Sequence, residues 1–371
     1  MEPAGTAPCA IVGGGLVGLV AYATLRHGGV ESAEIAVFGT DADPAGAWRE
    51  RARSIRQRRM RSESDGHCLA TSFPGLAVRA ARKRRSLLPL LQSVCDRYHP
   101  TVDEFLEHVT EVRERSGWDE SFHRARIERV RAVDGGFEVD GQGVFTHVLL
   151  APGHPGLNLP PELERDPRAV HAYRPHAYAA RVEVVGAGMA AATEWLNALA
   201  AGSSVVSVRR REPERRPLNL QRELFTRRGL ARFHHTVKEE RVALLRGFGV
   251  PSYPPGPDWD EPIERAAREG RFRVAGGLDG ADQIICATGF KRGFRHDRLL
   301  ARLVTEHEVA TAAEWIVLAP DSTVPALTDA TRTLSLAGVP AQWAFPAADT
   351  LAGARYAAHG FLRRVERWRT R

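Results

Sequence analysis

The stretch Cys9-Ala-Ile-Val-Gly-Gly-Gly-Leu-Val-Gly-Leu19 decides the fold. Ala10, Ile11 and Val12 read as a short buried β-strand that breaks at Gly13. The pattern resumes as a helix with Leu16, Leu19, Val20 and Ala23 on one side. Gly13, Gly15 and Gly18 have the G-x-G-x-x-G spacing. The first glycine permits the tight turn, and the second lets backbone approach a pyrophosphate. The third allows close helix–strand packing, so that an anion rests on N–H groups at the positive end of the helix dipole. A second strand at Glu34-Ile-Ala-Val-Phe38 completes the unit, and strand, turn, helix and strand together predict a dinucleotide site.

The pattern recurs. Val182-Glu-Val-Val-Gly-Ala-Gly-Met-Ala-Ala191 is strand, turn and helix with G-x-G-x-x-A spacing at Gly186, Gly188 and Ala191. Its helix runs through Trp195, Leu196 and Leu199 to Gly202, and Ser204–Val208 is its next strand. Where an NAD site places an acid, this strand runs into Arg209-Arg210-Arg211. The planar, charged donor fork of arginine suits a 2′-phosphate, so NADPH is expected over NADH. In the first unit Gly39 stands at the acidic position. Either Asp41 (or Asp43) reaches the ribose, or backbone does. Trp48 in the following loop lies beside a flat cofactor or caps the loop on the core. Two apolar runs, Thr146-His-Val-Leu-Leu-Ala-Pro-Gly153 and Gln283-Ile-Ile-Cys-Ala-Thr-Gly289, end alike in Ala-x-Gly and predict two passages of chain between domains.

The 371 residues suggest about two domains. A hydrophobic fraction of 43% and a charged fraction of 26% are those of a globular protein. No apolar run approaches the roughly 20 residues of a membrane span. Met1-Glu-Pro-Ala-Gly-Thr lacks the basic start of a signal peptide, which makes the cytosol the expected location. The four cysteines are scattered with no C-x-x-C, so neither a redox disulfide nor a metal site is expected. Cys9 and Cys286 read as core fillers. The formal charge of +7 comes from arginine clusters that read as solvated faces, apart from the cluster at Arg209 that follows the strand Ser204–Val208.

Between these units, residues 49–75 read as irregular, with His67 a possible site residue. Pro100–Glu114 reads as an amphipathic helix capped by Thr101, with Val102, Phe105, Leu106 and Val109 on one face. Residues 125–150 read as a small antiparallel insertion. Residues 212–275, with the irregular loop Pro251-Ser-Tyr-Pro-Pro-Gly-Pro257, read as a lid or a substrate-facing excursion grafted on the second nucleotide unit. Trp315–Leu318 and Thr333–Gly338 read as strands, and a terminal helix follows with Leu351, Ala354, Ala358, Phe361, Leu362 and Val365 on one stripe.

Two nucleotide units, the second inserted into the first, resemble the two-dinucleotide-binding-domain flavoproteins. Within them the chain is similar to the class B flavoprotein monooxygenases, the flavin-containing monooxygenases and microbial N-hydroxylases. The resemblance rests on Gly13, Gly15 and Gly18, on Ala45-Gly46-Ala47-Trp48 as a counterpart of a G-G-x-W turn, on Gly186, Gly188 and Ala191, on Ala287-Thr288-Gly289, and on His171-Ala-Tyr173. The family's longer fingerprint is half present: His171 and Pro175 fit, but Arg165 and Pro167 stand where Phe and Gly belong. The fold implied is α/β with two Rossmann-like domains. Residues 1–160 and 281–371 would form the FAD domain and residues 161–280 the NADPH domain.

The resemblance also implies an activity: FAD reduced by NADPH takes up molecular oxygen as a flavin C4a-(hydro)peroxide, which passes one oxygen atom to a small-molecule substrate. Nitrogen or sulfur is the expected acceptor, or a carbonyl in a Baeyer–Villiger step. Gly13, Gly15 and Gly18 would hold the FAD diphosphate, Asp41 its ribose, and Trp48 would stand near the flavin. Gly186, Gly188, Arg209 and Arg210 would hold NADPH. Asp349 and Thr350, at the start of the last helix, would face the flavin, and His171 and Gln342 are the catalytic candidates. The alternatives are an NAD(P)H-dependent flavoprotein reductase or dehydrogenase without oxygen insertion, and a non-catalytic or RNA-directed flavoprotein. For the last, the basic clusters are the only support.

Overall fold

The computed structural model describes residues 7–60, 76–94, 99–216 and 226–371. His67, Cys68 and Cys95 lie outside the described residues. Five parallel strands form a first sheet in the order Thr333–Leu336, His147–Leu150, Cys9–Val12, Ile35–Gly39, Phe122–Arg124. Its strands are apolar at successive positions because both faces are covered. Ala10, Val12, Ala36 and Phe38 enter one core, and Cys9, Ile11, Ile35 and Val37 enter the other.

Helices Leu16–His27 and Leu351–Arg369 lie side by side over the second of these cores, with helix Val102–Ser116 beside them. Ala354, Ala358, Phe361, Leu362 and Val365 of the terminal helix are buried as the stripe requires, while Leu351 is half-buried at its edge. Thr101 caps Val102–Ser116 through the Glu104 amide at 3.1 Å, and the Glu104 carboxylate returns a bond to the Thr101 amide at 2.9 Å. On the opposite face lies the antiparallel insertion Val130–Val133, Gly136–Val139 and Val144–Phe145. Residues 294–348 pack beside it.

A second sheet, again all parallel, runs Phe272–Ala275, Ser204–Val208, Arg181–Val185, Gln283–Cys286, Ala169–His171. Helix Met189–Ala200 covers one face through the fully buried Trp195. Placing Gln283–Cys286 at the head of the returning FAD segment is therefore corrected. The strand hydrogen-bonds on both sides within the second sheet, and the return follows Gly289.

The lid is corrected too. Helices Arg227–His235 and Lys238–Phe248 are not a flap on the second unit. Phe233 and Leu245 are buried in the first sheet's outer core with Trp315, Trp343 and Phe345, and His234 donates from Nε2 to the Ala344 carbonyl at 2.7 Å. Their amphipathic pattern required an apolar partner, and the other domain supplies it. No described helix is long and apolar enough to cross a membrane.

Candidate functional site

The first turn has the geometry its glycines predict. Gly13 has φ +133°, and a β-carbon there would stand 2.1 Å from the Ala151 carbonyl oxygen. A β-carbon on Gly18 would stand 2.0 Å from the Gly13 oxygen, so the helix lies directly on the turn. At Gly15 a β-carbon meets nothing within 4 Å. That open position is the N-cap of helix Leu16–His27, which has no side-chain cap and no acid in its first turn. Orphan amides, a dipole end and free space together fit an anionic group. Gly39 is explained here as well: its β-carbon would be 2.7 Å from the Gly14 α-carbon, so no acid fits at that strand position.

The second turn repeats this construction. Gly186 has φ +134° and a β-carbon there would stand 2.6 Å from the Ala287 oxygen, while at Gly188 the nearest atom is the Pro251 α-carbon at 3.9 Å. Helix Met189–Ala200 likewise starts with no side-chain cap. The quasi-repeat Ala151-Pro-Gly153 and Ala287-Thr-Gly289 thus supplies the wall of each turn.

Beyond those walls the two passages between domains lie antiparallel. Asn158 N donates to the Gly289 carbonyl and Lys291 N to the Gly156 carbonyl, both at 2.9 Å. An aromatic stack stands on this crossing. Phe290 lies against His154 (centroids 3.9 Å, 14° between planes) and Tyr173 (5.1 Å, 15°), with the Arg51 guanidinium 4.8 Å from the Phe290 centroid. Burial, then Arg51 and Arg292, push His154 down to about 4. Asp349 keeps solvent-exposed surface, and desolvation by the surrounding protein raises its carboxyl against the pull of a backbone hydrogen bond and of Arg292.

No protein-family model and no curated protein matches the sequence. Solved structures do match, over nearly the whole chain. The Kutzneria sp. 744 ornithine N-hydroxylase KtzI, in complex with reduced FAD, NADP+ and L-ornithine, is 16% identical with a TM-score of 0.75, covering 98% of this chain and 100% of its own. Ornithine hydroxylase PvdA from Pseudomonas aeruginosa gives 17% identity and a TM-score of 0.70, covering 96% and 99%. Bacillithiol disulfide reductase Bdr (YpdA) from Bacillus cereus gives 14% and 0.61, covering 96% and 97%. The chain has the fold of the flavin-dependent N-hydroxylases. At these identities the likeness concerns the fold.

In this N-hydroxylase fold the sequence candidates fall as follows. Asp41 is exposed at the end of the second strand; its Oδ1 accepts from the Asp43 amide at 3.0 Å, and its Oδ2 faces Gly46. Asp43 is engaged with Arg49 and the Ala45 amide. Trp48 meets Phe105 edge-on at 5.0 Å and is half-buried, so part of its ring is used by the core. Arg209 pairs with Glu212 at 2.8 Å and lies 5.6 Å from the Trp195 centroid, whereas Arg210 is exposed.

The catalytic candidates are tied down. His171 Nε2 donates to the Gly289 carbonyl at 2.9 Å and its Nδ1 accepts from the Tyr173 amide at 3.1 Å, so the neutral ring pins the crossing with both nitrogens in use. Burial lowers its pKa, partly offset by the bond to Gly289. Gln342 Oε1 accepts from the Trp315 indole at 3.3 Å. Thr350 Oγ1 donates to the Ala347 carbonyl at 2.7 Å and caps the terminal helix at the Gly353 amide. Among the described residues no cluster fits a metal ion. The residues that reasoning from sequence passed over are Arg51, Phe290 and Arg292. Phe290 follows Ala287-Thr-Gly289 directly, and that adjacency was the available signal.

Proposed function

We propose that the chain is a FAD- and NADPH-dependent monooxygenase that oxygenates nitrogen on a small amine. The observation that carries this reading is the pair of open, uncapped dinucleotide turns at Gly15 and Gly188, in one fold with an ornithine hydroxylase, an L-lysine 6-monooxygenase and a cadaverine monooxygenase.

The residues present fit two dinucleotides. The amides following Gly15 would hold the FAD diphosphate and Asp41 its ribose. The amides following Gly188 would hold the NADPH diphosphate, with Arg210 toward the 2′-phosphate. Bound flavin supplies the hydride and oxygen chemistry. The protein's part is to bind, orient and exclude water. Phe290, stacked between His154 and Tyr173, gives the crossing a rigid apolar wall. His154 is neutral there, and Arg51 and Arg292 stand beside it as cations. The arginines would favour a neutral amine over its ammonium form, as an oxygen acceptor must present a lone pair.

A flavoprotein reductase is the second reading, favoured by the fold likeness to the bacillithiol disulfide reductase. Dithiol chemistry needs an accessible, acidic thiol. Cys9 and Cys286 are both fully buried, and burial pushes their thiols up to about 12 and about 11. Neither serves that role.

The test is a spectrum of the purified protein, then anaerobic NADPH, then oxygen with L-ornithine, L-lysine or cadaverine, scoring hydroxylamine against hydrogen peroxide. Flavin bands bleached faster by NADPH than by NADH, with hydroxylamine formed from one amine, support the proposal. Peroxide alone with every amine refutes oxygenation and leaves the reductase. A colourless protein that FAD does not reconstitute refutes both.

A further inference from the structure

Helix Gly46–Ser54 begins and ends in different domains. Its first residue, Gly46, lies against the Asp41 carboxylate at the edge of the first nucleotide turn. Its nine residues span about 14 Å. Past its end, Ile55 is 3% exposed and sits in the core of the second domain with Ala172 and Trp195. The Ile55 carbonyl accepts from Asn197 Nδ2 at 2.8 Å, and Asn197 belongs to the helix that starts at the second nucleotide turn. The helix is a strut from the edge of the first turn to the C-terminal half of the helix that the second turn begins.

The strut is closed by Arg56, which has φ +50° and lies 4.4 Å from the Tyr178 ring centroid. The amides of Arg56 and Gln57 return to the Arg53 and Ala52 carbonyls, a helix ending whose left-handed position glycine normally fills. Arginine accepts that backbone cost and contributes a guanidinium over Tyr178. Tyr178 donates to Glu194 at 2.7 Å, and Glu194 is fully buried. His176 Nε2 stands 3.1 Å from the same carboxylate and its Nδ1 2.7 Å from the Arg174 carbonyl, so both nitrogens face acceptors and an imidazolium satisfies both. Arg56 therefore rests on a ring that is itself fixed by a buried charged network.

We propose that Arg56 is a positioning residue: its stacking on Tyr178 locks the strut against the second domain and so sets the distance between the two nucleotide turns for hydride transfer. The inference rests on the two-cofactor reading. It assigns Arg56 no contact with either cofactor.

The test is Arg56→Gly. Glycine suits the positive φ, so the fold is retained while the latch is lost. Hydrogen exchange in the cofactor-free protein is expected to rise at the amides of 50–57 and in helix Met189–Ala200, with the melting temperature held within a few degrees. In the FAD-loaded protein the limiting rate of flavin reduction by NADPH should fall about tenfold, with both cofactor affinities unchanged, because small misplacements cost rate rather than binding. Unchanged exchange together with an unchanged reduction rate overturns the proposal. Failure of the wild-type protein to take up flavin would refute the two-cofactor reading, and exchange would still test the latch.

Discussion

Gly13 and Gly15 are two residues apart, and the structure gives their alanine variants opposite consequences. At Gly15 the backbone is extended (φ −87°, ψ −171°), a conformation any residue adopts, and a β-carbon meets nothing within 4 Å. The Gly15→Ala fold cost is that of a poorer helix cap, at most about 1 kcal/mol, and the melting temperature should fall by only a few degrees. The same methyl group occupies the space an approaching diphosphate needs. Loss of one or two charge-assisted hydrogen bonds at about 1.5 kcal/mol each weakens FAD binding by roughly 10- to 100-fold. At Gly13 the backbone lies at φ +133° and the methyl would meet the Ala151 oxygen at 2.1 Å. Strain of about 1–3 kcal/mol and an overpacking cost of about 1–3 kcal/mol together approach the whole stability of a typical domain. The assay is thermal melting without cofactor, followed by FAD titration monitored by flavin fluorescence. A Gly15→Ala protein that melts normally and binds FAD like the wild type would refute the assignment of this turn.

Other substitutions separate groups that the sequence treats alike. Arg210→Ser should lower the NADPH-over-NADH preference in kcat/KM by about tenfold or more, the worth of one charge-assisted contact. Arg209→Ser should change it less and cost stability, since Arg209 is held by Glu212 and lies on Trp195. His147 is 1% exposed, with neither ring nitrogen hydrogen-bonded among the described residues, and burial pushes it down to about 4. Because the unfolded chain binds this proton more readily, its stabilising contribution is present above about pH 6.5 and lost as pH falls toward about 4. His147→Leu should therefore flatten the denaturation midpoint between pH 6.5 and 4, and a slope equal to the wild type's would contradict this. Cys9→Ser and Cys286→Ser, made singly, should leave NADPH consumption with a disulfide acceptor at the wild-type level, whereas a reductase working through either thiol would lose it.

Local chemistry was readable from the sequence wherever it repeated at short range. Both turns, the Thr101 cap, and the stripe on the terminal helix are set by residues within a few positions of one another. The quasi-repeat was readable as two passages between domains because Ala151 and Ala287 end similar strands, but not as the walls of the turns. What depended on two distant segments meeting was not readable. The amphipathic pattern of 227–248 shows that a face is buried but not which domain buries it. The buried carboxylates Glu183 and Glu194 look like ordinary exposed residues until Tyr178 and His176, or the Asp279 amide, are brought to them. His171 looked like an acid–base candidate because its bond to the Gly289 carbonyl spans 118 residues.

The antiparallel crossing of 156–158 with 289–291 makes the chain topologically separable. The inserted unit leaves and re-enters at neighbouring points, so a short splice from Gly156 to Lys291 would reconnect the first domain. The resulting fragment would still be incomplete. Helices Arg227–His235 and Lys238–Phe248 would leave with the excised piece, and Phe233 and Leu245 would leave with them, opening the core around Trp343 and Phe345. The two domains can be exchanged as lengths of sequence, but not as independently folding parts.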